Sequence, residues 1–554
     1  MKSETLKNAA VSTLVGATLV TGVILLAPGW GEETSTGPVT QRSAVRAVAA
    51  AGAGAPAAPA DLKALISDYE NWLRRYPSDG PSWAALGAAY VERGTRFARP
   101  QDFSKAEKAL RRSMELRTAK ERDDVRALVG TAALANARHD YVTARTWGER
   151  ARSQAPKAWT VYPVLVDAYT GLGNLEAAGK AMDTLQELHS GPQVKDREAQ
   201  LYRDRGWRED AAALAYDATV RAGTRHEKAV ALVRQGDLAW ERGEAAEAVD
   251  HYDAALAADP GSHRALAGRA RALVALDRTD EAQRDYEEAL DMAPLPEYAL
   301  EAGELAESLG MDGDAATQYA RVRTLVEEAH AHGVDGDLVL ARYEADHGDP
   351  ESAVRRLQDE WWRGHRSVHV ADAMGWALYR ADRAEDALPF AKLATRQEAR
   401  NALFSYHRGE IEQALGDEGR ARRYMEEALR TNPDFSPLYA PAAREALEAL
   451  GEPSAGGPVD VDGDGLPDKE PWEPPAVPPA AAAGTGVPSA GPSSAPSAGP
   501  STGPSAGASV APSQPVAQPS VPAPASPSWS PSASASASPG VVSVEPSPRV
   551  SGAG

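Results

Sequence analysis

The sequence has no cysteine among its 554 residues. This absence excludes disulfide bonds, cysteine nucleophiles, thiolate zinc sites and iron–sulfur clusters. Positive charge is also scarce, because 59 Lys and Arg residues stand against 79 Asp and Glu residues, a formal net charge of −20. Affinity for phosphate comes from clustered Lys and Arg, so we expect no general binding to nucleic acid.

Long apolar runs are missing apart from one, residues 9–28, which contains no charged side chain. Lysines precede this run, and Glu32 and Glu33 follow it. About 20 apolar residues span a bilayer as a helix, whereas the apolar core of a signal peptide usually has about 7–15. Residues 1–30 are therefore predicted to be a signal-anchor, with a cleaved signal peptide as the alternative. Both predict an exported chain, either anchored to the cytoplasmic membrane and facing outward or secreted.

Two segments have low sequence complexity, residues 31–60 and residues 471–554. The first is rich in Gly, Ala, Pro and Thr and shows little periodicity, which predicts a flexible linker. The second consists mostly of Pro, Ser, Ala, Gly and Val, with charges only at Glu473, Glu545 and Arg549. Its apolar bulk is too small to offset the entropy of ordering the chain, so a disordered tail is predicted.

Between these segments the sequence repeats with a period near 34 residues. HYDAALAADP (251–260) aligns with DYEEALDMAP (285–294) at an offset of 34 residues. A unit of this length cannot bury its apolar face alone, so repeats over residues 61–451 predict an α-solenoid. Extending the alignment gives ten units, each marked by one alanine: Ala106, Ala144, Ala178, Ala211, Ala248, Ala282, Ala315, Ala353, Ala387 and Ala421.

Small residues recur twelve positions before and seven positions after each marker alanine, as Gly236 and Ala255 do around Ala248. This spacing predicts two antiparallel helices whose backbones approach closely at the small residues, with Tyr252 filling the groove beside them. A proline such as Pro260 ends the second helix. A mid-unit glycine predicts a left-handed residue at the end of the first helix. These glycines are Gly173, Gly206, Gly243, Gly310, Gly348 and Gly416.

The pattern resembles the tetratricopeptide repeat over roughly residues 82–433. The first unit matches the family's leading positions in WAALGAAY, at Trp83, Leu86, Gly87 and Tyr90. It then carries about seven extra residues, in the region RGTRFAR, and the fourth and eighth units keep only the small residues. The resemblance implies an all-α superhelical array of helix pairs, with residues 60–77 and 436–451 as helices that cap its ends.

The first helices of tetratricopeptide repeats line a concave groove that commonly binds peptides, so the resemblance implies a protein or peptide partner. Here those helices carry mixed charges, among them Arg264, Arg269, Arg271 and Asp372. The clamp of Lys, Asn and Arg that some family members use for C-terminal carboxylates is not recognisable. Each charge can therefore belong to a binding surface or to an ordinary solvated helix face.

The repeats leave no stretch large enough for a separate catalytic domain, so we predict that the chain is not an enzyme. A G-x-S-x-G match at residues 503–507 lies in the Pro/Ser-rich tail, without the strand and helix that a nucleophile elbow needs. His365 and His369 have the spacing of metal ligands on one helix face, but no third ligand accompanies them. We interpret these histidines, and those of residues 327–333, as surface residues. Trp361 and Trp362 are interpreted as packing residues, a ligand-facing aromatic being the alternative.

The segment VDVDGDGLPD (459–468) has the spacing of a calcium loop, with a glycine at turn position 6 and oxygen ligands around it. The predicted ligands are Asp460, Asp462, Asp464, Asp468 and the backbone carbonyl of Leu466. Position 12 should be a bidentate Glu and is a proline, so residues 459–470 resemble the short loops of thrombospondin type 3 and dockerin-like repeats. We expect one weakly bound calcium ion, with a dissociation constant on the order of 10⁻⁴–10⁻³ M, an acidic spacer being the alternative.

These features favour a non-catalytic exported scaffold, tethered to the membrane through residues 9–28, that binds a protein or peptide in the solenoid groove. A structural or adhesive cell-surface protein with a calcium-stiffened stalk is one alternative. The other is an accessory subunit that presents substrate to a partner enzyme. Deleting the tail separates the first two, because adhesion requires the stalk and the scaffold does not.

Overall fold

The computed structural model describes residues 38–39, 41–52, 56–117, 124–396 and 401–451. Within these ranges the chain folds into 23 α-helices and no strand, which confirms the predicted all-α class. The helices are α1 (Arg42–Gly52), α2 (Pro59–Arg75), α3 (Gly80–Arg96), α4 (Pro100–Glu115), α5 (Val125–Ala137), α6 (Tyr141–Gln154), α7 (Val161–Gly171), α8 (Leu175–Leu188), α9 (Pro192–Asp204), α10 (Arg208–Arg221), α11 (Arg225–Glu241), α12 (Ala245–Ala258), α13 (His263–Val274), α14 (Thr279–Met292), α15 (Pro296–Ser308), α16 (Asp312–His330), α17 (Asp337–His347), α18 (Pro350–Arg363), α19 (Val368–Arg380), α20 (Ala384–Ala394), α21 (Ala402–Ala414), α22 (Glu418–Thr431) and α23 (Tyr439–Ala449).

Several predictions concern residues outside the described ranges. The signal-anchor of residues 1–30, the disordered tail of residues 471–554 and the calcium loop of residues 459–470, with all five of its ligands, belong to this group. Among the residues that the structure does describe, no helix is both long enough and apolar enough to cross a bilayer.

Helices α3 to α22 form ten consecutive antiparallel pairs, from α3/α4 to α21/α22. Every marker alanine lies in the second helix of its pair and is at most 4% exposed. A methyl side chain at this position lets the two helices of a pair pack with their backbones close together. The caps are present too: α2 precedes the pairs and α23 follows them, close to the predicted residues 60–77 and 436–451.

Tyr252 shows how the small residues position a large one. Its side chain is 0% exposed, and its hydroxyl donates a 2.8 Å hydrogen bond to Asp237 Oδ1. A Cβ atom added at Gly236 or at Gly268 would lie 2.6 Å or 2.5 Å from the tyrosine ring. The ring therefore fills space that two glycines of neighbouring units leave open, as the repeat pattern predicted.

The turn between the two helices of a pair needs one left-handed residue. Five of the six predicted glycines adopt positive φ, and four units without that glycine place Ala98, His139, Asp277 or Asp382 there instead. Gly348 is the exception, with φ −143° and ψ −133°, so its predicted left-handed conformation is wrong. Only two residues separate α17 from α18, where three connect α11 to α12, and the shorter connection is extended.

The flexible linker predicted for residues 31–60 is wrong over α1, which packs against α2. Ala44 and Ala47 are 0% exposed, and Arg46 forms a 2.5 Å ion pair with Asp61 at the start of α2. Gln41 adds two hydrogen bonds to Asp68. The small alanines that suggested low complexity are the residues that allow α1 to lie close to its neighbour.

The seven extra residues of the first unit lengthen both of its helices by about one turn. Nine residues follow Gly87 in α3, whereas five follow the corresponding Gly375 in α19 and Gly409 in α21. Six residues precede Ala106 in α4, whereas three precede the corresponding Ala421 in α22. The α3–α4 hairpin tip, defined here as residues 93–101, therefore projects roughly 5 Å further than the other hairpins.

The array returns to itself about 190 residues along the chain. Arg138 Nε donates to His332 O (3.0 Å), His139 Nδ1 lies 2.8 Å from Asp335 O, and Asn432 Nδ2 donates to Trp240 O (2.9 Å). The partners are 194, 196 and 192 residues apart. This near-constant separation means that hairpin turns of the early pairs meet the connections between later pairs, and a cavity is enclosed where they meet.

Candidate functional site

The first helices of neighbouring pairs are joined by a series of ion pairs, which we call the ion-pair ladder. It uses one residue from each of two first helices that are adjacent in the array, so the partners are about one repeat apart in sequence. The ladder consists of Asp167–Arg197 (3.0 Å), Asp196–Arg234 (3.3 Å), Asp237–Arg264 (3.8 Å), Arg271–Glu301 (3.3 Å), Asp346–Arg380 (2.5 Å) and Asp372–His407 (3.0 Å).

The ladder accounts for the charges that sequence analysis had placed in the groove. Arg264, Arg271 and Asp372 are members of it. Arg269 is also paired, with Asp285 at 2.7 Å and Asp253 at 2.5 Å. None of the four is a free charge on a solvated face, because each is held by an oppositely charged group.

The ladder is interrupted at one junction, between α15 and α17, and we call this position the ladder gap. The contact there is Glu307 Oε2 to His347 Nδ1, 3.3 Å, and burial lowers the pKa of that histidine. Glu297 and Glu304 on α15 and Arg342 on α17 are half-buried, and the described part of the chain provides no ion pair for any of them. Burial raises the pKa of Glu304 to about 8, and the nearby Arg342 only partly opposes the rise.

A cavity of about 580 Å³ lies where early and late pairs meet, and we call it the large cavity. Its walls include the aromatic rings of Phe97, Phe103, Tyr141 and Phe404. Phe97 comes from the α3–α4 hairpin tip, which also places Ala98, Arg99 and Pro100 in the wall. Polar groups reach the same space, among them Asp204, Glu297 and His369.

The hairpin tip separates the large cavity from a second one of about 190 Å³, since Phe97 lines both. Arg96 anchors the tip: its Nη2 lies 3.0 Å from His226 Nδ1 and 3.9 Å from Asp259 Oδ2. The second cavity is otherwise lined by ladder residues such as Arg197 and Arg234, whose charges are already paired.

His365 and His369 do not share a helix face, as a metal site would have required. Gly364, at φ 98°, ends α18, and Ser367 caps the start of α19, so His365 lies in the connection between them. Its Nδ1 is 2.8 Å from Glu360 Oε2. His369 lies in the first turn of α19, where burial lowers its pKa to about 4 and Nδ1 has no hydrogen-bond partner.

The remaining candidates have structural roles or face the solvent. His332 Nδ1 lies 2.9 Å from Ser104 Oγ, at a contact between distant pairs. The ring of Trp361 packs edge-on against Phe390 at 5.3 Å, as predicted. Trp362 is 70% exposed, so its interpretation as a packing residue is wrong.

Three carboxylates come together in a cluster formed by Asp335, Asp337 and Glu360. Arg363 forms ion pairs with all three, and Arg356 adds a 3.1 Å contact with Asp337. The arginines supply the positive charge that a metal ion would otherwise bring, so we regard this cluster as structural.

Sequence reasoning missed the ladder and the cavity. The ladder does have a signal, because opposite charges recur 30 to 38 residues apart along the first helices, as in Asp167–Arg197 and Asp196–Arg234. The cavity has none, because it depends on contacts between units about 190 residues apart.

Comparisons with known proteins bear on this architecture. The family model described as tetratricopeptide repeat matches residues 263–294 and 404–435. A tetratricopeptide repeat and J domain-containing co-chaperone from Fusarium oxysporum is 26% identical over 222 residues, which are 40% of this chain and 37% of that relative. The chain therefore spans well under half the length of this relative.

Solved structures that resemble the chain are also repeat proteins by their descriptions or distant in sequence. A tetratricopeptide repeat protein from Parabacteroides merdae is 18% identical, covers 47% of this chain and 99% of its own, and has a TM-score of 0.29. The yeast protein Tom70 is 14% identical, covers 71% and 92%, and has a TM-score of 0.32.

The two matched segments coincide with helix pairs of the array: 263–294 spans α13 and α14, and 404–435 spans α21 and α22. Both pairs belong to units that sequence analysis aligned on Ala282 and Ala421. The chain therefore contains tetratricopeptide repeats, within an all-α solenoid.

Proposed function

We propose that the chain is a non-catalytic scaffold that binds a protein or peptide partner on the inner face of its repeats, at the ladder gap. The observation that carries this proposal is the contrast between the gap and its neighbours. Six junctions of first helices are closed by ion pairs, while Glu304 and Arg342 carry charges that no ion pair satisfies within the described residues.

The gap defines what a partner segment should offer. Glu304 and Glu297 are acceptors for a Lys or Arg side chain, and Arg342 can donate two parallel hydrogen bonds to a carboxylate. A peptide with a basic and an acidic group a few residues apart would extend the ladder by the missing steps. Protein binding also agrees with the printed name of the curated relative, a co-chaperone.

The experiment that tests this proposal is affinity capture with the full chain as bait against a membrane extract of the source organism. We expect a reproducible partner with the wild type and its loss in the double variant Glu304→Gln/Arg342→Ala. The matched control is Glu288→Gln/Arg284→Ala, which removes the same charges from exposed positions of α14. Equal capture by both variants, or no partner with the wild type, would contradict the proposal.

Export and membrane tethering belong to the same proposal. The uncharged run of residues 9–28 would anchor the chain, with the repeats outside the cytoplasmic membrane. Protease added to intact spheroplasts should then digest the repeats, and deletion of residues 9–28 should move the chain to the soluble fraction. Repeats protected until the membrane is lysed would overturn this part.

Calcium binding at Asp460, Asp462, Asp464, Asp468 and the Leu466 carbonyl stays a prediction of the sequence. The oxygen donor set suits a hard cation such as calcium. Calorimetry of the full chain with millimolar calcium should show heat that Asp462→Ala abolishes. The absence of heat in the wild type would leave the acidic-spacer alternative.

A further inference from the structure

We propose that the large cavity binds a small organic cation with an aromatic or branched apolar body, and that the carboxylate of Glu297 holds its positive charge. This proposal goes beyond the scaffold function and does not depend on it. It concerns an interior cavity, whereas the partner proposal concerns Glu304 and Arg342 on the inner face.

The size and walls of the cavity set the kind of ligand. A volume of about 580 Å³ falls in the range of small-molecule sites, about 300–1,000 Å³. Four aromatic rings reach the cavity from four helices or turns, and side chains such as Leu295 and Val339 add apolar surface. Aromatic faces attract organic cations, so these walls favour a cationic ligand over an anionic one.

The charges that line the cavity point the same way. Three of its six carboxylates are already paired, Glu241 with Arg203 and both Asp335 and Glu360 with Arg363. Acidic side chains still outnumber the arginines of the wall by six to three. The carboxylates are Asp204, Glu241, Glu297, Glu328, Asp335 and Glu360, and the arginines are Arg99, Arg203 and Arg208.

Glu297 is the member of this set best placed to hold a cation. It is half-buried at the start of α15, and no described residue forms an ion pair with it. Burial raises its pKa, the nearby Glu301 adds to the rise, and His139 and Arg342 oppose it. His369 stays neutral near pH 7 because burial lowers its pKa to about 4, so it does not repel a cation.

Access explains why the ligand should be small. The α3–α4 hairpin tip closes one side of the cavity, and Arg96 fixes the tip to His226. The contacts of Arg138 and His139 with residues 332–335 close another side. An extended peptide could pass through only if these contacts opened, whereas a molecule with about a dozen heavy atoms fits inside.

The test is isothermal titration of the full chain with three isosteric probes: phenylbutylamine, phenylbutyrate and phenylbutanol. We expect saturable one-to-one binding of the amine, weaker binding of the alcohol and no binding of phenylbutyrate. Because a bound cation favours the ionised carboxylate, amine binding should release protons and its heat should depend on the buffer. Equal binding of the three probes, or no binding of the amine, would overturn the proposal.

Variants separate a specific site from general stickiness. Glu297→Gln should weaken amine binding about tenfold or more and remove the buffer dependence, because the neutral amide cannot pair with a cation. Ala329→Phe should block all the probes by filling the cavity, and Glu287→Gln, an exposed charge on α14, should leave binding unchanged. Wild-type affinity in both Glu297→Gln and Ala329→Phe, with helical circular dichroism intact, would also rule the site out.

Discussion

At the scale of single residues, the array depends on pairing very small side chains with large ones. Tyr252 lies over Gly236 and Gly268, and Leu110 lies over Gly87 and Gly130 in the first units. In each case a large side chain from a second helix touches the backbone of two successive first helices. One side chain thus holds three helices together, so its loss should cost more than the loss of an ordinary pairwise contact.

Truncating Tyr252 to alanine should lower the free energy of unfolding by about 3–5 kcal/mol, because a large cavity opens between three helices. Urea unfolding followed by circular dichroism measures the change. Tyr216→Ala is the matched control, since that ring is 64% exposed, and it should change stability by no more than about 0.5 kcal/mol. Similar values for the two variants would contradict the packing role of Tyr252.

Glu304 should make stability depend on pH. Its pKa is raised from 4.5 to about 8 in the folded chain, so the folded state holds this proton more tightly than the unfolded state does. Stability from this group is therefore present at low pH and is lost as pH rises through that window. We expect Glu304→Gln to be more stable than the wild type at about pH 8, with the difference shrinking toward about pH 5. Thermal melts at both pH values check this, and a difference that grows toward low pH would refute it.

At the scale of elements, the helix pairs were predictable and their connections were not. Ten alanines at regular spacing were sufficient to place the second helices, because only a small residue fits where two helices cross closely. The extended Gly348 turn and the helix α1 escaped prediction. Gly348 has the same residue type as its left-handed counterparts but a shorter connection, and α1 is composed of small residues that also occur in linkers.

The α3–α4 hairpin tip gives a prediction at this scale. Deleting residues 93–99 should leave a regular unit, because α3 would end five residues after Gly87, as α21 ends five after Gly409. The loss of Arg96 should free the start of α11 from its contact with the tip. Amide exchange around His226 should become faster, while helical circular dichroism per residue is preserved. Collapse of the helical signal would show that the tip is required for folding.

At the scale of the whole described array, the contacts between early and late pairs decide what the candidate site is. The sequence implied a groove because each unit could be read separately, but the large cavity requires pairs separated by about 190 residues. No local pattern encodes that separation, since it follows from the small rotation between successive pairs, summed over several of them. The candidate residues Glu297, Asp204 and Phe97 therefore gain a common role only in the folded array.

Asn432 tests this closure directly. It is 1% exposed and donates to Trp240 O, so Asn432→Ala leaves a buried carbonyl without its donor. We expect a larger radius of gyration by small-angle X-ray scattering, with unchanged helical content, because each pair still packs on its neighbours. Asn71→Ala, at an exposed position of α2, serves as the control and should leave the scattering curve unchanged.

The constant separation of 192 to 196 residues also has a consequence for how the chain folds. Each helix pair can form from contacts that are local in sequence, and such contacts form quickly. The bonds of Arg138, His139 and Asn432 must wait until several later pairs are in place, whether during synthesis or on dilution from denaturant. Refolding should therefore show a rapid gain of helix and a slower second phase in which the two ends of the array meet, and only that second phase should be slowed by Asn432→Ala.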